Sequence, residues 1–399
     1  ATLAKGYLAG YQGTTVDSPT RFTVHFTVPN VQFLQGTSTH SLGILAPSSV
    51  AASDDQRCQR VTGTGPFVLD SYVQNQSITL TKRKGYRWGS PMWAHPGEAY
   101  LDRLEFRIVP ESGVRTGSLQ SGEVDAIGSI GQQDERPLTA AGIALLARAN
   151  PGIPFGISFN LAKPIVSDPA VRNALSLAIN RPEIVSSVFT SGTKPATGVL
   201  SSTTPGYADA SPLLRFDPAA AGAALDAAGW RTGADGIRVK NGQRLSIGLT
   251  FFDNAATNKP TIELIQQQAR RVGIEPRITE RPISDNARVQ QSGDFEAIWG
   301  NITRADPDIL RAWYWSGGAN YYRFPPSALD QLLIGQATAS DPTQRARLVG
   351  AIQQRLLGEH SVVPVAELTT VLGVSPTAAG IRFDASSRIT LSDAWRAED

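Results

Sequence analysis

Strands dominate the pattern of hydrophobic and polar positions in the first 157 residues. The segment 21–28 (RFTVHFTV) alternates apolar and polar side chains, which is typical of a strand with one buried face. The same region contains further strand-like runs and one short helical pattern: strands at 67–73, 77–82, 104–109 and 124–127, and a helix at 113–121. We therefore expect a sheet-rich first part of the chain.

From about Asp168 the pattern changes to alternating helices and strands. Asp168-Pro169, Asp217-Pro218 and Asp341-Pro342 each offer a helix N-cap followed by proline at the first helical position. The segments between and after these starts predict helices at 259–272 and 284–291 and strands at 245–251, 274–280, 295–299 and 362–366. Alternating strands and helices with short loops predict a mainly parallel sheet covered by helices.

The chain length and the tail indicate two lobes joined by a hinge. A chain of 399 residues is too long for one ordinary core. The tail, 369–399, has too few strand-like pieces to fold alone, so we expect it to pack on the sheet of residues 63–157. The chain would then cross between the lobes twice, near Ser158–Asn160 and near Glu367–Thr370. Two crossings between two lobes indicate a hinge.

Composition and charge argue against several classes of protein. A nucleic-acid reader usually carries a basic excess or a clustered basic stripe, whereas this chain has a net charge of +2 and dispersed basic residues. No apolar run is long enough to span a bilayer. The sequence opens without an initiator methionine or a signal peptide, so we expect a mature or trimmed product. Its single cysteine, Cys58, excludes an internal disulfide framework.

Catalytic and metal-binding motifs are missing from the sequence. It contains no phosphate loop, no H-E-x-x-H, no C-x-x-C and no G-x-S-x-G. Residues 128–131 (GSIG) match only the second half of a nucleophile elbow, and a strand-to-loop turn explains them better. The four histidines lack metal-ligand spacing, and no pair of carboxylates can be singled out. We therefore expect no catalytic residue, no metal and no cofactor.

The stretch 295–322 is the most informative one for binding. It carries three of the seven tryptophans and begins at a predicted buried strand. In open α/β sheets, ligands bind in the crevice outside the carboxyl ends of the strands. We interpret Trp299 as facing the ligand. For Trp313 and Trp315, packing of a long loop is an equally good interpretation.

At these residues the sequence resembles a known family, the extracellular solute-binding proteins of the peptide/nickel class that serve ATP-driven importers. The matching motifs run in the family's order across nearly the whole chain: GTGPF at 63–67, SGEVD at 121–125, FN at 159–160, DPAVRNAL at 168–175, AINR at 178–181, and Trp299 with ADPD at 305–308. Any one of these motifs is weak, and their combination is specific.

The resemblance implies a fold, a function and a location. The fold would be α/β, a two-lobed periplasmic-binding-protein-like fold with mixed sheets. Residues 1–62 would be the remnant of a small extra domain, residues 63–157 with 369–399 lobe one, and residues 158–368 the α/β lobe two. The protein would be an extracytoplasmic monomer, in the periplasm or at the cell surface. It would bind a small molecule or short peptide between its lobes and deliver it to the membrane permease of an ABC importer.

The resemblance also implies a set of ligand-binding residues. On lobe two these are Trp299 as an apolar wall, Gly300 beside it, Asn301 as a hydrogen-bonding group, and Arg304 or Asp306 as the charged anchor. On the other lobe, Gly128 and Ser129 match the family's ligand-facing loop and would offer backbone groups. Closure around the ligand would follow from its greater affinity for the closed state.

The sequence departs from the family in two respects. The family has more chain before the point that matches Ala1, so the N-terminal portion is expected to be missing, and with it any lipid anchor. Some peptide-binding members carry an acid three residues after the tryptophan, where this chain has Ile302, which puts peptide specificity in doubt. Two alternatives stay open: an extracellular hydrolase that uses Ser129, and a receptor module that binds extended polypeptide.

Overall fold

The computed structural model describes residues 6–397, apart from the side chain of Cys58. Within this described range, no helix is both long and apolar enough to cross a membrane.

The described strands are between two and eight residues long. In chain order they are β1 (Tyr11–Ser18), β2 (Arg21–Phe26), β3 (Phe67–Val73), β4 (Ser77–Lys82), β5 (Arg103–Arg107), β6 (Ala126–Ile127), β7 (Ala144–Ala149), β8 (Gly152–Phe159), β9 (Arg231–Thr232), β10 (Arg238–Lys240), β11 (Gln243–Arg244), β12 (Ser246–Phe252), β13 (Glu275–Arg281), β14 (Ala297–Thr303), β15 (Val362–Ala366), β16 (Thr369–Val374), β17 (Ala378–Ala379), β18 (Arg382–Phe383), β19 (Ile389–Thr390) and β20 (Trp395–Arg396).

The longer helices all lie after residue 111. In chain order the α-helices are α1 (Phe33–Thr37), α2 (Pro47–Ala51), α3 (Asp54–Gln59), α4 (Ser112–Gln120), α5 (Gln132–Ala140), α6 (Pro169–Ala178), α7 (Arg181–Val188), α8 (Pro218–Ala227), α9 (Asn258–Arg270), α10 (Asn286–Ser292), α11 (Ile309–Tyr314), α12 (Ala328–Thr338) and α13 (Pro342–Gly358). The side chains of Asp168, Asp217 and Asp341 accept hydrogen bonds from the first turns of α6, α8 and α13, as the Asp-Pro pairs predict.

The chain forms two compact units. One, the α/β unit, combines Ala1–Ser41 with Ala149–Thr369, and the other, the smaller unit, combines Leu42–Arg148 with Thr370–Asp399. The chain therefore passes from one unit to the other three times, where the sequence predicted two crossings. The predicted division also differs at the start, because residues up to Ser41 belong to the α/β unit instead of a separate remnant. A backbone hydrogen bond from Val31 to Ala337 helps to hold this segment there.

A five-stranded sheet organises the α/β unit, in the order β13-β12-β14-β8-β15. β12 pairs in parallel with both β13 and β14, and β8 is antiparallel to β14 and β15. Four of the five strands thus run in one direction, as the sequence predicted, and β8 runs against them.

Both faces of this sheet are buried, because side chains alternate along each strand. On one face, Ile157, Leu249 and Trp299 pack in a core with α6, α7, α8 and α9. On the opposite face, Ile298 and Val362 join a second core with α10, α11, α12 and α13. Two helical layers therefore hold the sheet rigid from both sides.

The central position of β8 was not predicted from the sequence, which placed a crossing near its end. Gly152, Pro154 and Gly156 interrupt its apolar pattern and resemble strand breakers. The sheet needs the glycine at 156, because a Cβ there would lie 2.6 Å from the carbonyl oxygen of Val363 on β15. Close approach of neighbouring backbones, and not a break in the strand, explains this residue.

The smaller unit has short strands and a modest core. Its three-stranded sheets are β3-β4-β5 and β6-β16-β7, so β16 of the tail pairs with strands from before residue 150, as expected. Its main buried cluster consists of Leu119, Ile127, Leu138 and Ile143. In the α/β unit, a separate hairpin of β1 and β2 exposes apolar side chains such as Val16 and Phe22.

Candidate ligand-binding site

A pocket of about 190 Å³ opens at the carboxyl edge of the parallel strands in the α/β unit. Its lining residues come from β8, from β14, and from the segments that follow β12 and β13. The strand order reverses beside β12, since the chain moves to β13 on one side and then to β14 on the other. The crevice rule for open α/β sheets therefore applies to this edge, as the sequence predicted.

Trp299 contributes to the pocket and to the sheet core together. Its side chain is 1% exposed and stacks on Phe155, with ring centres 5.5 Å apart and planes 6° from parallel. Its indole N–H donates to the Oδ1 of Asn258, 3.0 Å away. Trp299 therefore forms a fixed wall of the pocket, and most of its surface belongs to the core.

Trp313 presents more of its ring than Trp299 does. It is half-buried on α11, lines the pocket, and donates its indole N–H to the hydroxyl of Tyr322 over 3.0 Å. Trp315 is also half-buried and does not line the pocket. The sequence left packing and binding open as roles for both tryptophans. In the structure, Trp313 lines the pocket and Trp315 does not.

Neutral amide side chains supply most of the hydrogen-bonding groups of the pocket. They are Asn254, Asn258, Asn286, Gln290 and Asn301. Asn258 is fully engaged with neighbours: its Nδ2 donates to the backbone oxygen of Phe252 at 2.9 Å and to Oδ1 of Asn254 at 3.0 Å. The Oδ1 of Asn286 is buried and has no hydrogen-bond partner among the described residues.

No Asp, Glu, Lys, Arg or His is among the described residues that line the pocket. The one lining group that titrates at high pH is Tyr322, and desolvation by burial raises the pKa of its hydroxyl to about 12. The lining is therefore neutral across the physiological pH range.

Arg304 lies outside this pocket and binds a segment of its own unit. Its guanidinium carbon is 3.8 Å from the ring centre of Tyr7, and its Nη2 donates to Oε1 of Gln32 at 3.1 Å. Arg304 and Tyr7 are both buried. Arg304 therefore holds the N-terminal segment, and it is not among the residues that line the pocket.

Asp306 also lies outside the pocket, in a buried network of charges. Its two carboxylate oxygens accept from Arg345, at 2.6 and 3.0 Å. The neighbouring Asp308 pairs in the same bidentate way with Arg311, and burial raises the pKa of the Asp308 carboxyl. The ADPD motif therefore ties its loop to α11 and α13, and the structure brings neither predicted charged anchor to the pocket.

Gly128 and Ser129 lie in the smaller unit, directly after β6. Ser129 is exposed and has a left-handed backbone with φ of 54°, and its carbonyl oxygen accepts from Nη2 of Arg115 at 3.0 Å. The segment is a strand-to-loop turn, as the sequence indicated. A ligand-facing role for it stays a prediction.

Of the predicted residues, the structure brings Trp299, Gly300 and Asn301 together at the pocket. Sequence reasoning missed Ser158 on β8 and the amides after the neighbouring strands. Asn254 and Asn258 follow the end of β12 directly, and Asn286 follows β13. The crevice rule, applied to every strand of the lobe instead of to β14 alone, would have found these amides.

Comparison with known proteins identifies the family. The family described as bacterial extracellular solute-binding proteins, family 5 Middle, matches residues 3–322. This chain belongs to that family. The predicted class, an extracytoplasmic solute-binding protein of an ATP-driven importer, is therefore confirmed.

Two relatives illustrate the family. The chain is 25% identical to the glutathione-binding protein GsiB of Escherichia coli K12 over 361 residues, which cover 87% of this chain and 67% of that protein. It is 26% identical to a dipeptide-binding protein of Pseudomonas aeruginosa over 345 residues, covering 85% of this chain and 62% of that protein. The matched relatives are binding proteins.

Solved structures confirm the predicted fold class. NikA from Brucella suis in complex with Fe(III)-EDTA matches with a TM-score of 0.83 at 24% identity, covering 97% of this chain and 79% of that one. The oligopeptide-binding protein AppA from Bacillus subtilis, in complex with a nonapeptide, matches with a TM-score of 0.79 at 18% identity, covering 98% and 79%. The fold is the two-lobed periplasmic-binding-protein fold with mixed sheets.

Proposed function

We propose that this chain captures its solute at the pocket on the carboxyl edge of β12 and β14 and passes it unchanged to the importer's permease. The observation that carries the proposal is the meeting of aromatic walls and amide side chains at the point where the strand order reverses. Such a combination of large apolar surface and few orienting polar groups is typical of small-molecule sites.

The proposal retains three of the predicted ligand residues. Trp299 and Gly300 form part of the pocket wall, and Asn301 supplies an amide, while Trp313 adds a second aromatic face. The proposal assigns Arg304 and Asp306 to the support of the α/β unit, because both are engaged in buried contacts there.

Binding without catalysis is part of the proposal. Ser158 and Tyr322 are the hydroxyl-bearing residues among the described lining, and no imidazole or carboxylate lines the pocket to act as their base. The hydrolase alternative with Ser129 gains no support, since its described polar contact is the carbonyl bond to Arg115. We further propose that the protein works as a monomer and without nucleic acid, given its near-neutral charge.

The test starts with the solute that the protein carries when it is purified under mild conditions. Native mass spectrometry identifies the solute, and calorimetric titration then compares the wild type with Trp313→Ala and Trp88→Ala. Trp313→Ala should weaken binding by about 2 kcal/mol, because a well-packed aromatic side chain contributes that much at a binding site. Trp88 is an exposed tryptophan of the smaller unit and serves as the control.

Equal affinity of the two variants and the wild type would place the solute elsewhere. Circular dichroism of Trp313→Ala must show a folded protein, so that a loss of binding is not mistaken for a loss of structure.

A further inference from the structure

One amide of the pocket has a buried oxygen that lacks the hydrogen-bond partner buried amides normally have. Among the described residues, nothing hydrogen-bonds the buried Oδ1 of Asn286. Gln290 and Asn301 line the same pocket. Buried polar atoms are nearly always satisfied, and leaving one unsatisfied costs about 1–3 kcal/mol. The Oδ1 of Asn286 on α10 therefore points to a missing partner in the pocket, beside the amides of Gln290 on α10 and Asn301 on β14.

The two carboxylates that flank the lining residues Asn254 and Asn286 in sequence each have a partner. Asp285 pairs with Arg288, and Asp253 accepts from the backbone N–H of Ile283. The described residues that line the pocket include no charged side chain. A carboxylate or ammonium group placed there would lose water without gaining a counter-charge, which is strongly unfavourable. The group that enters the pocket is therefore uncharged.

Amide and hydroxyl groups match each other in a specific way. Asparagine and glutamine side chains both donate and accept hydrogen bonds, and a hydroxyl group does so as well. The faces of Trp313 and Phe252 offer flat apolar surface next to these amides. The volume of about 190 Å³ is below the range of pockets for drug-sized ligands, which indicates room for a single ring.

We propose that the solute of this chain is an uncharged polyhydroxylated compound, and that one sugar-sized ring of it lies between Asn286, Gln290 and Asn301. The proposal rests on the proposed function, because it assigns a ligand class to the same pocket. It differs from the ligands named for the relatives above, since glutathione, dipeptides and Fe(III)-EDTA all carry charges.

The experiment titrates the full chain with three sets of compounds by calorimetry: neutral mono- and disaccharides, short peptides with free ends, and the same peptides blocked at both ends. Gln290→Ala is compared with Gln291→Ala, because these adjacent residues of α10 differ in that Gln290 lines the pocket and Gln291 is exposed. We expect a neutral saccharide to bind, with an affinity insensitive to added salt. Gln290→Ala should lower that affinity about tenfold or more, and Gln291→Ala should leave it unchanged.

The outcomes separate the ligand class from the site. If peptides bind, saccharides do not, and Trp313→Ala weakens the binding of peptides, the site stands and the saccharide proposal is overturned. If a saccharide binds with equal affinity to the wild type, Gln290→Ala and Trp313→Ala, both the location of the site and the role of these amides are overturned.

Discussion

The indole of Trp299 lies flat on Phe155 with its N–H given to Asn258, inside the core of the sheet. The sequence treated this residue as an apolar wall that faces the ligand. Its burial means that its loss also affects folding, since removing a buried tryptophan typically costs about 3–5 kcal/mol of stability. For this reason the half-buried Trp313 is the better residue for testing binding.

The pair of Asp306 and Arg345 permits a test of stability at the scale of single residues. Both side chains are largely buried, with Nη2 of Arg345 2.6 Å from Oδ1 of Asp306. Asp306→Ala should lower the free energy of unfolding by about 3–5 kcal/mol, because it leaves the guanidinium buried without its partner. Urea denaturation measures this loss.

The double variant Asp306→Ala with Arg345→Met is the control, since it removes the stranded charge and should recover part of the stability. An Asp306→Ala protein with wild-type stability and reduced solute affinity would instead support the ligand anchor that the sequence predicted.

At the scale of elements, the C-terminal end of α13 carries a half-buried histidine. His360 follows this helix with φ of 50°, and its carbonyl oxygen accepts from Nε of Arg172 at 2.8 Å. Burial, with a smaller contribution from the Arg172 charge, lowers the pKa of His360. The dipole of α13 would raise the pKa of a histidine at its C-terminal end, so burial outweighs the dipole here.

This lowered pKa predicts acid sensitivity. Below about pH 6.5 the unfolded chain binds a proton at His360 that the folded chain resists, so folding stability falls with falling pH. His360→Asn should reduce the loss of stability between about pH 7 and pH 5, and asparagine tolerates the left-handed backbone. Thermal melts at several pH values measure the difference, with His25→Asn at an exposed strand position as the control. Parallel pH curves for the wild type and His360→Asn would contradict this account.

Elements were more predictable than the site, and the reason is physical. Local signals define β3, β4 and β15 and the starts of α6, α8 and α13, because alternation and Asp-Pro caps act within a few residues. The environment of Arg304 depends on Tyr7 and Gln32, hundreds of residues away in sequence. Sequence reasoning could place Arg304 on its loop but could not tell that its side chain packs on Tyr7 and Gln32.

The same distinction applies to the motifs that resemble the family. Arg172 and Arg181, both within those motifs, donate to backbone carbonyls, including those of Glu359 and Pro364. They connect α6 and α7 to the end of α13 and to β15. These two arginines therefore make contacts that stabilise the fold, and their match to the family carries no information about the solute.

At the scale of the whole molecule, the two units differ in the size of their cores. The α/β unit has a buried cluster on each face of its sheet, whereas the main cluster of the smaller unit is formed around Leu119 and Leu138. We expect calorimetry to resolve two unfolding transitions, with the smaller unit unfolding first. Bound solute should raise the transition of the α/β unit, because the pocket lies within that unit.

A matched pair of core variants assigns the transitions. Leu138→Ala in the smaller unit should lower the temperature of the first transition, and Leu356→Ala in the α/β unit that of the second. Each substitution should reduce the free energy of unfolding of its unit by about 2–5 kcal/mol. A single transition that both variants shift equally would show that the units unfold together.

The positions of the tryptophans have a practical consequence for spectroscopy. Trp88 and Trp395 are 54% and 46% exposed, whereas Trp299 is 1% exposed and Trp313 is half-buried at the pocket. A water-soluble quencher such as iodide therefore suppresses emission from the two exposed indoles first. The fluorescence that remains is weighted towards shielded rings, including the two that border the pocket. Binding of the solute can then be followed by the intrinsic tryptophan fluorescence of the unlabelled protein.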